Sequence, residues 1–350
     1  MQALNENNHK VGLQKATSVD VARLVGVSQS TVSRTFSNDH SVAAKTREKI
    51  LEAAHQLGYT PNAIARSLST RQTNMVGIVM SNITSPFQPY VLEKFIQELQ
   101  KLGRQVLVFT AGPKQEIDDI LPVVMQYQLD ALIVTSVTLS SERLSEFSRV
   151  GTPVILFNRR LPGENVSVVC CDNVEGGRLV ANLLLDRGYK HLAYIAGSEN
   201  SSTNRDRHKG FVDRLDERGL VKPLLRQPGQ YSYEAGYEAA GHLLERDDPP
   251  DAIFCASDIT ALGVLDRARE LQIKVPNELG IVGFDDIPMA SWSAYALTTV
   301  RQPVEQMIDA TLQMLLTQLR TTYTEPLIKL FPGVLVERQS TRPANNLHQI

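Results

Sequence analysis

Cysteine is scarce: the chain has 350 residues and three cysteines, Cys170, Cys171 and Cys255. They show no metal-ligand spacing, and the vicinal pair Cys170–Cys171 is a poor candidate for a structural disulfide. Buried reduced thiols are the expectation. Long hydrophobic runs are missing as well. No apolar stretch approaches the roughly 18 residues that a membrane span needs. Residues 1–16 are polar and lack the apolar core of a signal peptide. The expectation is therefore a cytoplasmic chain with no membrane partner. Catalytic signatures are missing too. There is no G-x-S-x-G, no H-E-x-x-H, no P-loop and no G-x-G-x-x-G after a strand, and the seven histidines are scattered. No catalytic residue, no metal and no cofactor is expected.

What is present begins at residue 17. Thr17 or Ser18 can cap a helix, and Asp20 gives Thr17 a capping-box-like partner. Val21, Leu24 and Val25 recur at helical spacing as one apolar face. Gly26 supplies the freedom to turn. Ser28 can cap a second helix with Val32 and Phe36 on its inner side. That leaves Gln29, Ser30, Ser33 and Arg34 toward solvent, where Arg34 can donate a bidentate pair to guanine. A third helix is predicted from Ala44 to Leu57. Ile50, Leu51, Ala54 and Leu57 form its buried stripe, and Gly58 stands where a left-handed cap is wanted. Three helices with such a turn make a helix-turn-helix domain, the geometry that lays a helix in the DNA major groove. A generic helical hairpin inside a larger core is the competing reading. Net charge is −2 overall, yet residues 1–71 hold nine Lys/Arg against five Asp/Glu. A basic module on an acidic body suits local phosphate contact.

Pro61 breaks the third helix, and Asn62 can cap a short helix over 63–69. Two turns are marginal alone in water, so this segment is expected to be helical only when docked. From Met75 onward, short apolar strands alternate with helices, and the pattern restarts after Asp172. Val76–Met80, Gln105–Phe109, Ala131–Val134 and Val154–Phe157 read as strands of the first series. His191–Ala196, Leu224–Leu225, Ala252–Cys255 and Gly280–Phe284 belong to the second. Such alternation predicts parallel sheets with helices on both faces. Two series imply two lobes with a cleft at the carboxyl ends of the strands.

Across about residues 16–342 the chain resembles the lactose-repressor (LacI/GalR) family of bacterial transcription regulators. The resemblance rests on Asp20-Val-Ala22, Val27-Ser28, Thr31-Val-Ser-Arg34, Lys45-Thr-Arg-Glu48, Gly58-Tyr-Thr-Pro-Asn62 and Ala65-Arg-Ser-Leu68. Downstream it rests on Cys171-Asp-Asn173, Gly176-Gly177, Gly188-Tyr-Lys-His191, Arg207 with Gly210-Phe211, Ala256-Ser-Asp258, Gly283-Phe-Asp-Asp286 and Leu297-Thr-Thr-Val-Arg-Gln-Pro303. It implies an all-α helix-turn-helix domain plus an α/β periplasmic-binding-protein-like core of two parallel-sheet lobes. The implied division is an extension over 1–16, the DNA-binding domain over 17–61 and a hinge over 62–72. An effector-binding and dimerisation domain then spans 73–342, followed by a tail over 343–350. Its first lobe takes about 74–172 and 303–329, and its second about 173–300 and 330–342.

By the same matching, Gln29, Ser30 and Arg34 choose the operator sequence. Thr17, Thr31 and Ser33, with Ser18 beside them, contact phosphates, which position the domain. Asn62, Ala65, Arg66 and Leu68 belong to the hinge, where Leu68 wedges into the minor groove; an ordinary helix-core leucine is the alternative. Ser37 stands where the family commonly has Asn. In the cleft, Arg207 and Asp285 bond an effector's hydroxyls or polar edges. Phe87 and Tyr231 stack on it, Asn158 adds a polar contact, and Trp292 closes the cleft. Asp258 either caps the helix beginning near Thr260 or touches the ligand. The implied protein is a repressor that binds palindromic double-stranded DNA as a homodimer. A small molecule controls it, a sugar or sugar acid first and a nucleoside or purine second. A two-lobed solute-binding protein without a DNA role is the remaining rival. The tail carries no heptads, so no tetramerising coiled coil is expected.

Overall fold

The computed structural model describes residues 15–37, 41–61, 72–80, 85–110, 117–135, 147, 149, 151–161, 166–220, 224–321 and 325–344. The chain divides into two compact units, Met1–Thr73 and Asn74–Ile350.

In the first unit α1 (Ser18–Val25) starts at Thr17, whose hydroxyl and amide exchange bonds with Asp20 in a complete capping box. Gly26 takes φ 73° and ends the helix. Ser28 caps α2 (Gln29–Phe36) by accepting from Thr31 N. The third helix, α3 (Ala44–Gln56), leads to Gly58 at φ 62°. Val21, Ala22, Val32, Ile50, Ala53 and Ala54 form the core, and Phe36 meets Tyr59 edge-on at 5.7 Å. Two expectations about the inner faces need correction. Leu24 is 55% exposed, and Leu51 and Leu57 also face solvent. An eight-residue helix buries one narrow stripe, and Val21 with Ala22 fills it. On α3 the contact surface is Ile50, Ala53 and Ala54, and the two small alanines let the helices approach closely.

The second unit holds two six-stranded sheets, ordered β11-β5-β4-β3-β1-β2 and β12-β10-β9-β8-β6-β7. The first contains β1 (Met75–Met80), β2 (Gln105–Thr110), β3 (Ala131–Val134), β4 (Val154–Phe157), β5 (Ser167–Cys171) and β11 (Ile328–Phe331). The second contains β6 (Leu192–Ile195), β7 (Leu225–Gln227), β8 (Ala252–Cys255), β9 (Gly280–Asp285), β10 (Thr298–Arg301) and β12 (Val334–Val336). All pairings are parallel except β10 with β12. Each lobe therefore repeats one topology, with its first strand between its second and third. That reversal places a crevice at the carboxyl ends of the strands. Strand β5 lies in a stretch read only as the break between series; all five of its residues are buried.

The chain crosses between the lobes three times: after β5, at Gln302–Pro303, and at Pro332–Gly333. The crossings lie side by side. Asp172 N donates to Phe331 O at 2.7 Å, and a Cβ on Gly333 would sit 2.7 Å from Val300 Cγ1 and 3.4 Å from Cys171 Sγ. The third crossing corrects the expected lobe boundary. Leu330 and Phe331 still pair with β5 in the first lobe, because β11 must complete its ladder before the chain can leave.

Helices cover both sheets. In the second lobe α6 (Asn173–Asp186) packs on α7 (Ser202–Glu217), and α8 (Tyr233–Leu244) packs on α9 (Asp258–Glu270). Both crossings use paired glycines. A Cβ on Gly177 would strike the Arg207 carbonyl, and one on Gly210 the Val174 carbonyl. Gly236 and Gly263 stand in the same relation to Thr260 and Tyr233. Backbone cannot yield as a flexible side chain can, so Gly210→Ala must push α6 from α7. It should cost about 2 kcal/mol in urea unfolding. A loss under about 0.5 kcal/mol, within the range of neutral surface changes, would show that the helices do not meet there.

Candidate functional site

Two arrangements carry chemistry, one in each unit. In the first, Gln29, Ser30, Ser33 and Arg34 lie on the exposed face of α2, as expected. Gln29 Nε2 donates to Ser18 Oγ at 3.0 Å, so the amino ends of α1 and α2 are joined. Ser28 Oγ lies 2.8 Å from both Ser30 Oγ and Thr31 Oγ1. The hydroxyls of Thr17, Ser18 and Thr31 thus cluster at two helix amino termini, where backbone N–H groups favour anions. The hydrogen bond from Thr17 to Asp20 holds the Asp20 carboxyl below its ordinary range. Asn62, Ala65, Arg66 and Leu68 lie outside the described residues.

In the second unit a cavity lies at the carboxyl ends of both sheets. The first lobe contributes Ser85, Phe87 and Gln88 at the start of α4 (Phe87–Lys101), Thr135 after β3, and Asn158 and Arg159 after β4. The second lobe contributes Ser201, Ser202, Thr203 and Arg207 at the start of α7. It also supplies Tyr231, Ser257 ahead of α9, and Asp285 closing β9. Together they bound a small cavity of about 80 Å³ that is open to solvent. Three wall residues hold the left-handed backbone that non-glycine residues rarely adopt: Asn158 at φ 55°, Tyr231 at 54° and Asp285 at 119°. Such strain persists only where surrounding contacts over-determine it.

Arg207 organises the second-lobe wall. Its Nε donates to Asn173 Oδ1 at 2.8 Å, its Nη1 to the Ala256 carbonyl, and its Nη2 to Asp285 Oδ1 at 3.3 Å. The guanidinium lies 3.7 Å from the Phe284 ring centroid. Gln302 Nε2 donates to the same Asp285 oxygen at 2.7 Å. Tyr231 OH lies 3.1 Å from Thr203 Oγ1 and donates to Ser201 Oγ at 3.2 Å. Its ring covers Gly197, where a side chain would collide with it. Burial pushes the Tyr231 phenol up, so it stays a neutral donor.

Phe87, Asn158, Arg207, Tyr231 and Asp285 therefore come together around one space. Two expected residues do not. Trp292 follows the 3₁₀ turn Pro288–Ser291, is 56% exposed and is not part of the cavity wall. Asp258 lies behind the wall, and α9 begins at Asp258 itself rather than near Thr260. Asp258 accepts from Thr299 Oγ1 at 2.5 Å and from Ile287 N at 2.8 Å, tying α9 to β10 and the loop after β9. Gln302 was missed. It lies within Leu297–Pro303, a motif with no role attached. It is 3% exposed, and its Oε1 has no hydrogen-bond partner among the described residues. Arg159, beside the expected Asn158, was missed too. The three cysteines are buried free thiols, as expected. No group of three His, Cys, Asp or Glu among the described residues is placed to hold a metal. No described helix is long and apolar enough to cross a membrane.

A helix-turn-helix unit ahead of a two-lobed α/β unit with a polar interlobe cavity defines a DNA-binding protein with a separate small-molecule site. Residues 18–62 match the model for bacterial regulatory proteins of the lacI family, and 181–341 that for a periplasmic binding protein-like domain. The transcriptional regulator DegA of Bacillus subtilis is 33% identical over 84% of this chain and 88% of its own length. The lac repressor dimer bound to operator and an anti-inducer superposes with TM-score 0.85 at 24% identity, covering 94% of this chain and 99% of that one. The regulator CelR in complex with cellobiose is 28% identical with TM-score 0.69, covering 93% and 99%. The chain belongs to the lacI family of DNA-binding transcription regulators.

Burial holds both Asp258 and Asp285 above the ordinary carboxylate range, and the nearby Asp285 carboxylate raises Asp258 further. A raised folded-state value means that the folded chain binds these protons more tightly than the unfolded chain. Their contribution to stability is complete below the unfolded value and is lost as pH rises through the raised range. Asp258→Asn removes one such titration. Between pH 5 and 8 the melting temperature of the variant should fall less steeply with rising pH than that of the parent. Equal slopes in calorimetry would contradict a raised Asp258.

Proposed function

We propose that this regulator is a repressor that grips a palindromic operator as a homodimer and releases it when a small hydroxylated molecule, a sugar or sugar acid, fills the interlobe cavity. The observation that carries the reading is the chain of contacts from Arg207 through Asp285 to Gln302. The first two line the cavity, and Gln302 lies on a crossing between lobes. A ligand hydroxyl that accepts from Arg207 or donates to Asp285 acts on the segment about which the lobes turn. Hydroxyls of Ser85, Ser201, Ser202 and Thr203 around Phe87 and Tyr231 suit a polyol with one apolar face. The complex of CelR with cellobiose supports a carbohydrate.

In the proposed dimer Gln29, Ser30 and Arg34 read base edges, while Thr17, Ser18, Thr31 and Ser33 hold phosphates. Asn62, Ala65, Arg66 and Leu68 are assigned to the hinge, with Leu68 entering the minor groove. Lobe rotation changes the spacing of the two hinges, which couples the sites as allostery requires. No catalytic step is assigned.

Arg34→Ala should weaken binding to the specific operator by roughly 1–3 kcal/mol and relax discrimination at the base it reads; unchanged affinity in a gel-shift titration would remove it from readout. Asp285→Ala should retain operator binding and lose release by effector. An unaltered release curve would take Asp285 out of the effector site.

A further inference from the structure

We propose that the chain holds a second ligand site, a crevice beside the middle crossing. It takes an α-amino acid with an apolar side chain, the carboxylate on Arg301 and the ammonium on Glu305. The crevice has a volume of about 430 Å³ and is open to solvent, within the usual range for small-molecule sites. Among the described residues it shares only Asp285 with the interlobe cavity. What fills that cavity has no bearing on it.

Charge counting selects the ligand. On the second-lobe side the Asp286 carboxylate is 7% exposed and answers two guanidinium groups. Arg301 Nε donates to it at 2.6 Å and Arg338 Nη2 at 2.7 Å. Two cations on one carboxylate leave one positive charge in excess. Arg338 also donates to the Leu297 carbonyl and is mostly buried, whereas the Arg301 side chain is 57% exposed. The excess therefore resides at Arg301. Asp285, the other carboxylate on this side, is answered by Arg207.

On the first-lobe side Glu305 stands exposed in the first turn of the helix Val304–Arg320 and accepts from Tyr90 OH at 2.8 Å. Burial, then Glu305, pushes Tyr90 up to about 12, so it is a neutral donor. The hydrogen bond from Tyr90 in turn holds the Glu305 carboxyl below its ordinary range, with Lys94 and Arg301 helping. Glu305 therefore keeps its negative charge. Neither cation pairs with it among the described residues: Arg301 pairs with Asp286, and Lys94 lies over the Tyr90 ring at 5.7 Å from its centroid.

A positive and a negative charge thus border one crevice without pairing. A simple anion suits Arg301 but meets Glu305, and a simple cation meets the reverse. Only a molecule carrying both charges answers both. Ile287, Pro288, Val304 and the Tyr90 ring line the same crevice and suit an aliphatic or aromatic side chain. Arg301 ends β10 in the second lobe, and Glu305 follows the crossing at Gln302–Pro303. The bound zwitterion ties lobe to lobe across that crossing.

The test uses the full chain and three probes, L-valine, L-leucine and L-phenylalanine. Each is compared with the acid that lacks its amino group and the amine that lacks its carboxylate. At least one amino acid should raise the melting temperature saturably. Calorimetry should then find its acid and its amine weaker by about ten-fold or more, as expected when a charged hydrogen bond is lost. Arg301→Gln and Glu305→Gln should each weaken the amino acid by a similar factor, and Arg301→Lys should weaken it less than Arg301→Gln. No response to any of the three amino acids overturns the proposal. So does an acid or an amine that binds as tightly as its amino acid, or binding that both glutamine variants leave untouched.

Discussion

The buried contact between Arg207 and Asp285 is the constraint on which the second unit depends. Taking two charges out of water costs several kcal/mol per ion, and only good geometry with added hydrogen bonds offsets it. Here Asn173, the Ala256 carbonyl and Gln302 supply those bonds, and the Phe284 face supports the guanidinium. Removing one partner of such a pair typically costs about 3–5 kcal/mol. The network therefore ties α6, α7, β8, β9 and the second crossing into one arrangement. Because it forms part of the cavity wall, anything that binds there meets a structural keystone.

The glycines explain how that keystone is reached. Gly177 and Gly210 let α6 and α7 touch backbone to backbone, which brings Asn173 within reach of Arg207. The three crossings between the lobes lie adjacent to one another. Gln302, on the middle crossing, holds the Asp285 carboxylate with one end and keeps a buried acceptor at the other. The cavity wall is thereby joined directly to a crossing between the lobes.

Local chemistry was legible in the sequence. Thr17 with Asp20, Gly26, Ser28 and Gly58 each act within four residues, and each does in the structure what its chemistry implies. The alternation of strands and helices was legible for the same reason. What failed depends on distant neighbours. Helical spacing alone could not tell that Ala53, and not Leu51, faces the hairpin. The stretch Ser167–Cys171 shows no alternation because both of its faces are covered. Asp258 ends one motif and Trp292 follows another, yet one turns behind the wall and the other toward solvent. Gln302 and Arg159 gave no local signal beyond their neighbours, since their importance comes from the two lobes meeting.

Operator and effector would act on one pivot, so each must change the affinity of the other by the same factor. The most direct measurement is calorimetric: the affinity of the full chain for the sugar or sugar acid that stabilises it, with and without saturating operator DNA. The account predicts weaker ligand binding on DNA, by the factor with which that ligand weakens operator binding. Equal affinities in the two titrations would contradict it.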